Sequence, residues 1–210
     1  MNNGLQNIIS GKSQVSFGTN IYAALSHLTA GEATSPVGKT DKYFKQEETK
    51  RLRAYIDRNS LWVNVDLDNY VSEGAEQKVY LKDGHSVLKL NDAIYYLSWV
   101  DYFASLLLNN YFFPDTAYNL LGFCESEFII YAVVEQQFIK ATEPTNLDHV
   151  EQFMNSNGFQ KIRNNDYSNP ELGIILEDLH DENVLTCNGI LYFIDTVFYL
   201  DECEKQERDY

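Results

Sequence analysis

Helical and strand-like spacings of apolar residues alternate along the chain, which predicts an α+β fold. In Gln46–Ile56 the apolar Leu52, Tyr55 and Ile56 recur at helical intervals, with acidic residues early and basic ones late, as the helix dipole favours. That helix is expected to end near Asn59, and Leu61–Val65 beyond it alternates loosely as a strand. A hairpin follows, Gln77–Leu81 and Ser86–Leu90 around Lys82-Asp83-Gly84-His85, where Asp-Gly is strong turn chemistry. Ile94, Leu97, Val100, Ala104, Leu107 and Leu108 form a helical stripe, capped by Asn91 or Asp92, reaching about Asn110 and closed by Pro114. Leu120–Phe123 and Phe128–Val134 read as strands around the polar turn Cys124–Glu127. Thr145 is placed to cap a helix over 146–157 that Gly158 stops, and Asn164–Pro170 reads as a polar loop. Gly173–Glu177, Val184–Cys187 and Ile190–Leu200 complete the strands, the last two joined by Asn188-Gly189, and a polar, frayed or helical tail is expected after them.

Residues 1–44 have a different texture, small and polar, with the breaker cluster Gly31–Gly38, and read as an N-terminal extension and linker. Within it Thr19 or Asn20 is placed to cap a short helix, Ile21–Leu28. A hydrophobic fraction of 44% over 210 residues supports one good core or two small lobes sharing a cleft, and excludes a disordered chain. The 31 acidic against 16 basic residues give a net charge of -15, which repels phosphate backbones and argues against nucleic-acid binding, while suiting solubility or a basic protein partner. Cys124, Cys187 and Cys203 lack C-x-x-C spacing and read as reduced thiols rather than a disulfide framework or zinc site. With no leader pattern at Met1–Gln6, and apolar runs such as Phe128–Val134 too short to span a bilayer, a cytoplasmic protein with no membrane partner is expected.

The densest chemistry lies in Glu177-Asp178-Leu179-His180-Asp181-Glu182-Asn183 and the apolar run ending at Asp195. Asp178 and Asn183 stand five apart, the interval of the kinase catalytic loop, and Asp195 ends a strand-like run twelve residues on, where kinases place their second metal-binding Asp. His180 reads as a structural hydrogen-bonding group, since His27, His85 and His149 are scattered.

On these residues the chain resembles the protein-kinase-like superfamily, most closely the kinase domains in polyvalent proteins of phages and conjugative elements. The D-L-H-x-x-N core is also similar to that of aminoglycoside phosphotransferases. The resemblance implies a compact two-lobed kinase-like fold with a shortened C-terminal lobe. Residues 45–139 would form the first lobe, with a helix, antiparallel sheet, αC-like helix and hinge, and 140–210 a reduced second lobe. It implies ATP and Mg2+ as cofactors. Gly74 would sit in the phosphate-covering turn, Lys89 would neutralise the α- and β-phosphates, and Glu135 and Gln137 would offer backbone groups to adenine. Asp178 would orient or deprotonate an acceptor hydroxyl, while Asn183 and Asp195 would ligate magnesium.

The chain departs from that pattern in specific places. Glu177 stands where protein kinases have Arg, Thr196-Val197 follows Asp195 in place of Phe-Gly, and Asp101 is the only internal acid of the αC-like helix. Only fifteen residues follow Asp195. Two functions therefore stay open: transfer of the ATP γ-phosphate to a hydroxyl of a protein Ser, Thr or Tyr or of a small molecule, and a pseudokinase or acidic interaction module of a mobile element. A DNA-mimicking inhibitor is a third.

Overall fold

The computed structural model describes residues 3–30, 40–66, 68–73 and 77–200. The breaker cluster Gly31–Gly38, Gly74 of the expected phosphate-covering turn, Cys203 and the polar tail lie outside the described residues. In chain order the elements are α1 (Asn3–Ile9), α2 (Gly18–Thr29), α3 (Asp41–Asn59), β1 (Tyr70–Glu73), β2 (Gln77–Leu81), β3 (Ser86–Asn91), α4 (Trp99–Phe112), β4 (Asn119–Ser126), β5 (Ile129–Gln137), α5 (Leu147–Ser156), β6 (Gln160–Arg163), β7 (Asp166–Asn169), β8 (Ile174–Glu177), β9 (Val184–Cys187), β10 (Ile190–Phe193) and β11 (Val197–Leu200). The fold is mixed α+β, as expected. A five-stranded antiparallel sheet runs β1-β2-β3-β5-β4, a four-stranded one β11-β8-β7-β6, and β9 and β10 pair separately. No described helix is long and apolar enough to cross a membrane.

Several elements differ from their sequence signatures, each for a local reason. Asn91 and Asp92 cap turns, not α4: their Oδ1 atoms accept the amides of Ala93 and Ile94, and Ala93 takes a left-handed φ of 57°. Ile94 and Leu97 are left exposed, and α4 begins at Trp99, capped by Ser98 Oγ on the Asp101 amide (2.9 Å) and by Glu48 of α3 on the Trp99 amide (2.5 Å). Asn146, not Thr145, caps α5; the Thr145 hydroxyl instead donates to the Val184 carbonyl. Leu61–Val65 forms no full strand. Phe123 N–H donates to Leu61 O (2.9 Å) and Val63 N–H to Phe123 O (2.8 Å) beside a bulge at Gly122, where a Cβ would lie 2.4 Å from Leu61 O. β4 and β5 run further than expected, turning through Glu127 and Phe128, both at positive φ. The polar stretch read as a loop contains β7 and its pairing with β6. The apolar run Ile190–Leu200 divides at Ile194–Thr196 into β10 and β11, which join different sheets.

One buried cluster spans most of the molecule. Leu5, Ile8, Ile21, Leu25 and Leu28 from α1 and α2 join Phe103 and Leu107 of α4, Phe123 of β4 and Phe198 of β11. Residues 3–30 are therefore packed into the same core as the rest, and α2 shares its apolar face with α4 and β4. Phe113 and Phe193 stack at 4.1 Å between centroids, fixing the end of α4 against β10.

Candidate active site

Alternation along β2 and β3 decides which side chains meet. The pairing Val79↔Lys89 and Gln77↔Asn91 puts Gln77, Val79, Val87 and Lys89 on one face, while Lys78, Tyr80 and Leu90 turn to the other. The first face walls a cleft of about 530 Å³, within the usual range for small-molecule sites. Asp178, His180, Asn183, Ile194 and Asp195 line its opposite wall, so Lys89 and the three oxygen-bearing residues singled out in the sequence share one space.

Two ladders bring those three together. The β9–β10 register continues from Val184↔Phe193 into the Ile194 amide donating to Asn183 O (2.9 Å), and the β8–β11 register starts at Val197↔Glu177. Asp195 lies in the break between β10 and β11, with Asn183 beside one ladder and Asp178 beside the other. This is why a hairpin of fixed length separates Asn183 from Asp195.

Lys89 is buried, and desolvation pulls its pKa below the ordinary lysine value, opposed by the Asp195 carboxylate 3.9 Å away. Its ammonium donates to the Ile194 carbonyl (2.6 Å) and lies 5.5 Å from the centre of the Tyr118 ring. The Tyr118 hydroxyl, held protonated by burial, donates to the same carbonyl at 3.0 Å. Asp101, the internal acid of α4, is engaged by the Ser98 hydroxyl instead. Contact between α4 and the Asp195 segment is neutral: Thr196 Oγ1 donates to Asn109 Oδ1 (2.8 Å) and the Phe198 amide to Ser105 Oγ (3.0 Å).

The loop 178–183 exposes Asp178, Asp181 and Glu182 around the buried Leu179 and is closed on itself. Asn183 Nδ2 donates to Asp178 Oδ2 (2.9 Å) and to its carbonyl (3.0 Å), which commits the amide nitrogen. The Glu182 amide donates to His180 Nδ1, so the ring proton belongs on Nε2, 3.2 Å from Asp178 Oδ1. Asp178 holds a left-handed φ of 71°, a conformation Asp tolerates better than most residues. The β6–β7 hairpin supports it, since the Asp178 amide donates to Asp166 Oδ1 (3.1 Å) and the Leu179 amide to Asn165 O (3.1 Å). Arg163 of the same hairpin is 3.1 Å from Asp166 and 3.5 Å from Glu177, the acid standing where an Arg is usual.

Of the two expected hinge residues, Gln137 lines the cleft and Glu135 does not. Glu135 shares the outward parity of Tyr131 and Val133, pairs with Lys82 at 2.7 Å, and its backbone lies inside the ladder opposite Leu88 and Asn119. The β4–β5 ladder stops there. Because the Phe138 amide donates to His85 O, alternation turns the Gln137 amide and carbonyl away from β3, past the end of β4. Gln136, between the two in the expected hinge, is the buried side chain of this wall and donates to Thr116 O (2.7 Å). Tyr118 and Thr116 were unmarked in the sequence, and Gln77 stood in the stretch matched to the phosphate-covering turn with no role of its own. Gln77 was findable, two residues before Val79 on the face of Lys89, but the other two had no local signal.

A cleft with a buried lysine on one wall and an Asp–Asn–Asp set on the other defines the class of kinase-like proteins. A sequence model of the family described as Serine/Threonine/Tyrosine Kinase found in polyvalent proteins matches residues 45–202, and the chain belongs to that family. No curated protein and no solved structure matches it significantly.

Proposed function

We propose that the protein is a two-lobed kinase that binds ATP with Mg2+ in this cleft and transfers the γ-phosphoryl group to a hydroxyl, of a protein side chain or a small molecule. The observation that carries this reading is that the buried Lys89 ammonium and Asp178, Asn183 and Asp195 line one cleft of triphosphate-compatible size. The donor set suits magnesium. Among the described residues no group of three or more His, Cys, Asp or Glu side chains is placed for a metal, whereas one carboxylate and one amide oxygen match an ion completed by phosphate oxygens and water. Bound there, magnesium supplies charge neutralisation across the phosphates.

The residues divide the remaining work. Lys89 presents a fixed positive charge to the phosphates, already desolvated and therefore needing little reorganisation. Gln137 offers an amide and a carbonyl at the sheet end to the base. Asp178, kept in place by Asn183, His180 and the β6–β7 hairpin, aligns the acceptor hydroxyl and receives its proton. A scaffold without transfer has no need of this arrangement.

The test is transfer of labelled γ-phosphate, including autophosphorylation, by the wild type and by Asp178→Asn. The variant is expected to keep nucleotide affinity and to lose about 10²–10⁴-fold in transfer rate, the usual share of a positioned base. Equal transfer by both proteins would remove Asp178 from its role.

A further inference from the structure

The Asp195 carboxylate is engaged by a residue with no part in the scheme above. Gln77 reaches across the cleft from the start of β2, and its Nε2 donates to Asp195 Oδ1 at 2.5 Å. The Lys89 ammonium is 3.9 Å from the same oxygen. Val71 and Ser72 of β1, which pairs with β2, line the same cleft, so the Gln77 contact fastens the start of β2 to the opposite wall.

An amide nitrogen carries hydrogens and a partial positive charge, and it offers no lone pair to a cation. A magnesium ion taking Oδ1 at about 2.1 Å would compete with Gln77 for space and electron density at that oxygen. Sharing that oxygen would weaken both contacts, because the cation draws electron density from it and repels the partly positive amide hydrogens. We propose, resting on the ATP–Mg2+ reading, that Gln77 is a metal-displaced latch: it ties the start of β2 to Asp195, and magnesium releases it by competing for Oδ1. The latch makes the site discriminate between nucleotide with and without metal, because only the metal repays the broken contact. Glutamine suits this role. A lysine at the same place would bind the carboxylate too firmly to release it, and a glutamate would add a metal ligand.

The experiment is a Mg2+ titration of fluorescent ATP-analogue binding to the full chain, comparing the wild type with Gln77→Leu, which keeps the stem, and Gln77→Ser, which is too short to reach. Loss of one hydrogen bond to a charged acceptor is expected to lower the half-saturating Mg2+ concentration about tenfold in both variants. Local destabilisation would not tighten metal binding, and thermal unfolding of each variant checks the fold. Half-saturation unchanged from wild type overturns the latch, and a rise overturns it in favour of Gln77 assisting the metal. Failure of the wild type itself to bind nucleotide at any Mg2+ concentration sinks the ATP–Mg2+ reading and the latch with it.

Discussion

The Lys89 side chain is 5% exposed, whereas that of Asp178, on the other wall of the same cleft, is 57% exposed. The lysine is fixed by a sheet: β3 lies between β2 and β5, and the Lys89 ammonium is held by the Ile194 carbonyl. The aspartate is fixed by hydrogen bonds from Asn183 and from its own amide to Asp166, with His180 Nε2 3.2 Å from its carboxylate, on a backbone held at positive φ. One wall achieves rigidity by burial and accepts a desolvated charge. The other achieves it by local polar contacts and stays open to solvent. The contrast suits a reaction in which one partner is enclosed and the other approaches from outside.

Breaking the buried wall should have the larger effect. Lys89→Met is expected to weaken Mg2+–nucleotide binding about ten- to a hundredfold, the equivalent of ~1.5–3 kcal/mol for a hydrogen bond to a charged group. Calorimetry measures the affinity, and thermal unfolding should show the fold retained, since methionine fills the same volume without a buried charge. Affinity equal to wild type would mean that burial, not phosphate binding, explains the lysine.

The exposed wall should break differently. Asp166→Ala removes the acceptor of the Asp178 amide, and transfer is expected to fall about threefold to tenfold, the ~0.5–1.5 kcal/mol of one hydrogen bond, with nucleotide affinity unchanged. Steady-state kinetics separates the two. A matching loss of affinity would show that the two walls are not independent.

The smallest effect is on stability against pH. The folded-state pKa of Lys89 is lowered by desolvation, so between that lowered value and about 10.5 the unfolded chain holds a proton the folded chain has released. Stability attributable to Lys89 therefore rises with pH across that window. Denaturant unfolding of wild type minus Lys89→Met should show a positive slope as pH climbs toward 10.5, and a flat difference would contradict the assigned burial cost.

The same contrast explains what was legible in the sequence. The β2–β3 hairpin could be read from Asp83-Gly84 and strand alternation, and with it the face bearing Lys89. The loop at Asp178 could be read from residue type and spacing, since its contacts are mostly within six residues. What could not be read depends on partners distant in sequence. Glu48 caps α4 from 51 positions away, which is why Ile94 and Leu97 mimicked the first turn of that helix. The β6–β7 hairpin gave no periodic signal because β6 is wholly exposed and β7 pairs polar residues around a single buried aromatic, Tyr167. The core of α2 was read as Ile21–Leu28, but α1 is short, and only its packing with α2 and α4 reveals why Leu5 and Ile8 are apolar. Glu135 was grouped with Gln137 by proximity, yet one ladder pair separates a paired backbone from an open one.

The central claim is that Lys89 and the Asp178, Asn183, Asp195 set enclose a site for a metal-bound triphosphate. Its most direct test is calorimetric titration of the wild-type protein with a non-hydrolysable ATP analogue, with Mg2+ and with the metal chelated. Saturable binding at one site per chain that weakens at least tenfold on chelation is the predicted result; no binding, or binding indifferent to the metal, would contradict it.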